Sequence, residues 1–144
     1  MRIGIPRELK NHEYRVAASP AGVHDMVAHG HRVVVETEAG AGSSFSDNDF
    51  KAVGAEISDS ADEVWEQAEL LLKVKEPIET EYHRLRSGQV LFTYLHLAAS
   101  APCTDALVAS GTTAIAYETV TGAGGSLPLL APMSEVAGRL ATQA

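Results

Sequence analysis

A doubly wound α/β domain, with a largely parallel sheet and helices on both faces, is the fold class the sequence predicts, and three observations carry it. Short apolar runs alternate with stretches of helical periodicity, the order of successive βαβ units. Several runs, such as Leu70-Leu71-Leu72, are apolar on consecutive rather than alternate residues, which suits strands covered on both faces. The 144 residues, 45% apolar and 21% charged, match one ordinary globular core without long polar or repetitive tracts.

Arg2 to Ile5 reads as the first strand. Ser19 and Pro20 then offer an N-cap with proline at the first helical position, Val23, Met26 and Val27 share one helical face, and Gly30 closes the helix. His31 to Glu36 is a β-branched strand. Ser46 caps a short helix carrying Phe50 and Val53, Gly54 ends it, and a brief strand covers 55–57. Ser60-Ala61-Asp62-Glu63 reads as a capping box, in which Ser60 and Glu63 satisfy each other's backbone donors ahead of the stripe Val64, Trp65 and Ala68. That helix ends near Glu69, and a strand over 70–75, a helix over 79–85 and a strand over 90–95 follow. The last unit has a helix over 102–109, Gly111 as terminator and a strand over 113–117. Gly122 to Ser126 form a flexible turn, and after Pro132 a helical pattern, Met133 to Ala141, runs to the end without a stop signal. The architecture is Rossmann-like or flavodoxin-like, and the ending reads as a cut connection.

A formal charge of -8, with Lys and Arg scattered along the chain, opposes binding to nucleic acid or to an anionic membrane. No apolar run approaches a signal segment or a membrane span, which points to a cytosolic protein. The single cysteine, Cys103, reads as a small buried or half-buried side chain rather than a catalytic thiol.

Ligands of open parallel sheets bind outside the carboxyl ends of the strands, so polar residues just after each apolar run are the candidates. These are Arg7, Glu8, Lys10 and Arg15 after the first run, Glu36 and Glu38 after the second, Lys73, Lys75 and Glu76 after the fourth, His96 after the fifth and Glu118 after the sixth. Arg15 has the planar fork that donates two parallel hydrogen bonds to a carboxylate, though a solvated loop arginine looks the same in sequence. Lys75 could polarise a carbonyl oxygen or simply snorkel from a strand end. His96 titrates near working pH and could pass a proton, or serve as a hydrogen-bonded structural residue. The other histidines lack partners at ligand spacing, so no metal site is expected. Gly40-Ala41-Gly42 mimics the start of a dinucleotide fingerprint but lacks the third glycine, and it reads as a turn, as does Gly122 to Gly125.

Taken together, Met1-Arg2-Ile3-Gly4-Ile5-Pro6-Arg7-Glu8, Glu13-Tyr14-Arg15-Val16-Ala17, Leu72-Lys73-Val74-Lys75-Glu76-Pro77, Leu95-His96-Leu97-Ala98 and the run from Pro128 to Gly138 resemble the alanine dehydrogenase and proton-translocating transhydrogenase superfamily. The resemblance covers the whole chain. Transhydrogenase chains typically lack the lysine and histidine matching Lys75 and His96, so it favours the alanine dehydrogenase branch, which interconverts L-alanine with pyruvate and ammonia using NAD. Carried over by position, it implies Arg15 on the substrate carboxylate, Lys75 on the carboxylate or carbonyl, His96 as general acid/base, and Met133 and Ser134 beside the cofactor. It further implies a substrate domain over 1–131, a helix starting at 132–144 toward an absent NAD-binding domain, and homo-oligomers. The expectation is that this chain alone neither turns over alanine nor holds NAD well. A transhydrogenase-type fragment and a non-catalytic domain are the alternatives.

Overall fold

The computed structural model describes residues 1–142, so Gln143 and Ala144, the tail of the expected connecting helix, lie outside the described residues. Its strands are β1 (Arg2–Ile5), β2 (Arg32–Glu36), β3 (Glu56–Ser58), β4 (Leu70–Leu72), β5 (Val90–Thr93) and β6 (Thr113–Ala116). Its helices are α1 (Pro20–Ala28), α2 (Asp47–Ala52), α3 (Ala61–Gln67), α4 (Ala101–Ser110) and α5 (Ala131–Leu140). All strand pairs among the described residues are parallel, in the order β3-β2-β1-β4-β5-β6. The chain walks outward from β1 to β3, crosses back to β4 on the other side of β1, and walks outward again to β6. The predicted fold class holds.

That reversal sorts the helices. Val23 of α1 and Phe50 of α2 pack with Ile3, Ile5, Val33 and Val35 on one face of the sheet. Trp65 of α3 and Cys103 and Leu107 of α4 pack with Leu71 and Leu91 on the other. Burial of each large apolar side chain contributes roughly 1.5–3 kcal/mol. Close approach of α3 to β1 depends on Gly4, where a Cβ would lie 2.8 Å from the Ala68 Cβ and 2.9 Å from the Val64 carbonyl oxygen. Cys103 is fully buried, as expected of a small apolar side chain.

The caps differ in part from the sequence reading. Ser19 accepts from the Gly22 N–H as foreseen, and Ser60 accepts from the Glu63 N–H. The Glu63 carboxylate, however, accepts from the Ser58 hydroxyl at 2.8 Å, and the Ser60 N–H donates to the same Ser58 oxygen, so only half of that box forms. A complete box occurs one helix earlier, where Ser46 and Asp49 serve each other's backbone donors. Residues 79–85 make a 3-10 run over Glu79–Arg84 rather than an α-helix. The runs expected to continue as strands to 75, 95 and 117 stop at Leu72, Thr93 and Ala116. The final helix begins at Ala131 and leaves Met133, Val136 and Leu140 exposed.

The early stop of β4 has a cause. Lys73, 1% exposed, donates from Nζ to Glu81 at 2.9 Å and to Glu8 at 3.3 Å, and it lies 6.0 Å from the Trp65 ring centroid. Glu8 also accepts from the Val74 N–H at 2.6 Å, and Glu81 from the Ile78 N–H at 3.0 Å. Two buried carboxylates thus share one ammonium, and burial pushes the Glu8 carboxyl up against the pull of Lys73 and the Val74 N–H. Replacing Lys73 with Met strands both carboxylates and should cost about 3–5 kcal/mol. Glu8→Gln keeps an acceptor for Val74 and leaves a one-to-one pair, so its effect should stay within about 1 kcal/mol. Urea denaturation of both variants checks this; a larger loss for Glu8→Gln than for Lys73→Met would contradict it.

Candidate active site

Strand order reverses between β1 and β4, so the loops leaving their carboxyl ends diverge and open a crevice. Beyond β4 and β5 the pairing continues irregularly, the Lys73 N–H donating to the Phe92 carbonyl and the Tyr94 N–H to the Val74 carbonyl. This carries Lys75 and His96 to the same edge. A cavity of about 110 Å³ there is lined by Arg15, Lys75, Tyr94, His96, Leu130 and Met133. It is far smaller than the roughly 300–1,000 Å³ of sites for drug-sized ligands, room for a molecule of a few heavy atoms. Of the residues singled out from sequence, Arg15, Lys75, His96 and Met133 meet here, whereas Ser134, exposed on α5, is not among the lining residues.

Arg15 does not present its fork in the way the sequence reading assumed. Its Nε and Nη2 donate to the two oxygens of Glu13 at 2.7 and 2.5 Å, and its backbone N–H donates to Glu13 as well. The hydrogen bonds from Arg15 hold the Glu13 carboxyl below its ordinary range. Nη1 points toward the cleft, 3.4 Å from the Met133 Sδ. The edge left for an anion is therefore Nη1 with the second Nη2 hydrogen. Lys75, half-buried, has no ion-pair partner among the described residues and supplies the uncompensated positive charge.

The Gly40–Gly42 turn supports this loop rather than a phosphate. A Cβ on Gly42 would lie 2.5 Å from the Tyr14 carbonyl oxygen, and the Ser43 hydroxyl donates to that same oxygen at 3.1 Å. Backbone of the Arg15 loop fills the space a pyrophosphate would need. The Gly40–Gly42 segment is thus a turn that braces the Arg15 loop.

His96 sits just past β5 with φ 48 and ψ 39. A non-glycine residue adopts this left-handed conformation at about 1–2 kcal/mol, with His among the side chains that tolerate it better. Its Nδ1 lies 3.7 Å from a Glu76 oxygen that is buried and otherwise without a hydrogen-bond partner. The other Glu76 oxygen accepts from Lys10. Burial pushes the Glu76 carboxyl up, but the hydrogen bond from Lys10, with help from His96, brings it net below its ordinary range. Tyr94 donates to the Leu129 carbonyl at 2.6 Å, tying the segment before α5 to the cleft.

Glu76 was among the strand-end candidates, without a role, whereas Glu13 and Tyr94 are site residues that sequence reasoning did not single out. Tyr94 carried the nearer signal, since it stands in the apolar run two positions before His96. Gly42→Ala should push the Tyr14–Arg15 backbone away and destabilise the chain by about 1–3 kcal/mol, the usual range for overpacking. Urea denaturation reads the loss, and a neutral outcome would show that the turn does not brace Arg15.

A family model described as the alanine dehydrogenase/PNT N-terminal domain matches residues 4–137. The chain is 69% identical over 143 residues to an alanine dehydrogenase of Mycolicibacterium smegmatis and 65% identical to one of Mycobacterium tuberculosis, with 99% of this chain and 38% of each relative covered. A solved L-alanine dehydrogenase superimposes with a TM-score of 0.96 at 50% identity, over 99% of this chain and 39% of that one. A transhydrogenase from Sinorhizobium meliloti gives 0.76 at 31% identity, over 82% of this chain and 34% of that one. The chain thus spans less than half the length of the relatives it matches, and it belongs to the alanine dehydrogenase/PNT N-terminal domain family.

Proposed function

We propose that this chain is the substrate domain, residues 1–131 plus the start of a connecting helix, of an NAD-dependent L-alanine dehydrogenase. The observation that carries the reading is the convergence of Arg15, Lys75 and His96 on one small cavity at the reversal of strand order. The presence of Lys75 and His96 favours this over a transhydrogenase-type subunit, since hydride transfer between nicotinamides needs neither amino-acid binding nor a proton relay at substrate nitrogen. No helix among the described residues is long and apolar enough to cross a membrane, which supports a cytosolic setting. A homo-oligomer completed by a dinucleotide-binding half is part of the same proposal.

In this reading the free Nη1/Nη2 edge of Arg15 takes the carboxylate of alanine or pyruvate. The Lys75 ammonium takes the neighbouring oxygen, stabilising negative charge as it develops on the carbonyl. Met133 and Ser134 would lie beside bound NAD, which would supply the hydride acceptor for the α-carbon. His96 takes a proton from the water that adds to the oxidised carbon and passes it to the nitrogen, then takes the remaining hydroxyl proton as ammonia departs and the carbonyl of pyruvate forms. The reverse sequence aminates pyruvate. A Glu76 oxygen faces the ring from the Nδ1 side at 3.7 Å.

Kinetics of a polypeptide joining this chain to a dinucleotide-binding domain test the assignment. His96→Gln should lower kcat by about 10²–10⁴. Arg15→Lys, which cannot keep both Glu13 and an anion on one planar group, should raise KM for pyruvate about tenfold or more. The 144-residue chain alone should give no comparable NADH formation. Pyruvate-induced NMR shifts confined to residues remote from Arg15, Lys75 and His96 would sink the assignment.

A further inference from the structure

Glu118 belongs to none of the roles above, yet its carboxylate reaches the reacting region through the backbone. It lies in a 3-10 turn, Tyr117–Thr119, directly after β6. Parallel register pairs Thr93 with Ala116, so two residues further on Leu95 and Glu118 come alongside each other. Glu118 Oε1 accepts from the His96 N–H at 2.7 Å and from the Leu95 N–H at 3.1 Å, and Oε2 lies 3.2 Å from the same Leu95 N–H. Successive main-chain N–H groups converging on one anion form the kind of concavity that binds charged oxygens, and the bonds are charge-assisted.

We propose that Glu118 is a positioning residue for His96. By anchoring the two amides it ends β5 and holds His96 at φ 48, the conformation that directs the imidazole between the cleft and Glu76. In any other backbone basin the Cα–Cβ bond of His96 swings relative to the sheet, and the ring leaves both partners. Glu118 acts on the turn and not on the ring, because the contacts recorded for its oxygens are to main-chain N–H groups. Oε1 receives both N–H groups and Oε2 shares that of Leu95, so reach and the Oε1 acceptor set the geometry of the turn, while the negative charge strengthens bonds whose geometry it does not set.

The proposal rests on the acid/base reading of His96, and two variants separate them in the enzyme-length polypeptide. Glu118→Gln keeps the reach and loses the charge; Glu118→Asp keeps the charge and falls one methylene short. Displacement of a reacting group by about 1 Å can cost on the order of 10²-fold, so Glu118→Asp should lower kcat by about tenfold or more with KM for pyruvate within about threefold, while Glu118→Gln stays within about threefold of the parent in both. In the 144-residue chain, the amide protons of Leu95 and His96 should remain at low field and slow to exchange in the Gln variant, and move upfield and exchange faster in the Asp variant. The reverse order of the two variants, or equal loss in both, overturns the clamp. Full turnover by His96→Gln overturns the reading of His96 itself, and the amide signals still decide separately whether Glu118 holds the turn.

Discussion

An ammonium buried between two carboxylates fixes the geometry on which the cleft depends. Lys73 follows β4, Glu8 follows β1, and Glu81 lies on the 3-10 run that leads toward β5, so one cation draws three segments together where strand order reverses. Each partner also satisfies a backbone donor, Glu8 at Val74 and Glu81 at Ile78, which sets the path of the chain on both sides of Lys75. An ion pair buried this deeply repays desolvation only when further hydrogen bonds engage its partners, and here each carboxylate also takes a backbone N–H. The cluster contributes less to net stability than to the placement of Lys75 and the Glu8 loop.

The rest of the site follows the same pattern, in which carboxylates position cations and backbone instead of facing the cavity. Glu13 binds one edge of Arg15 and thereby selects the other for the cleft. Glu76 stands between Lys10 and His96. Glu36 accepts from the Arg7 N–H, holding the first turn after β1. The chain carries a formal charge of -8, yet the cavity wall offers Arg15, Lys75 and His96 to an incoming acid, because the nearby negative charges are engaged on its far side. Local pairing, not net charge, decides what this surface attracts.

This division explains what was legible in the sequence. Consecutive apolar residues in Leu70–Leu72 and Val33–Val35 announce strands covered on both faces, and alternation of such runs with helical spacing leaves few parallel topologies. Strand-end position then collects Arg15, Lys75 and His96 without any distance being known. What periodicity does not encode is which of two lysines at one strand end turns inward: Lys73 and Lys75 look alike until Glu8 and Glu81 are seen around one of them. Ser58 diverting Glu63 from its expected box is of the same kind, a contact from outside the helix outcompeting a local one. Glu118 was noted as a strand-end acid, but its use on main-chain N–H groups depends on the register of β5 against β6.

The pairing of Arg15 bears on how an acid would be selected. A guanidinium has five N–H donors, and Glu13 engages two of them through Nε and Nη2. The remaining edge still donates two parallel bonds, but along the axis of the side chain instead of across it, so a bound carboxylate must approach end-on. With Met133 beside Nη1, and Tyr94, Lys75 and His96 on the same wall, a carboxylate held end-on would face a cavity of about 110 Å³. In the proposed site the orientation of one paired arginine would thus set the direction from which an acid enters, before any contact with its side chain is considered.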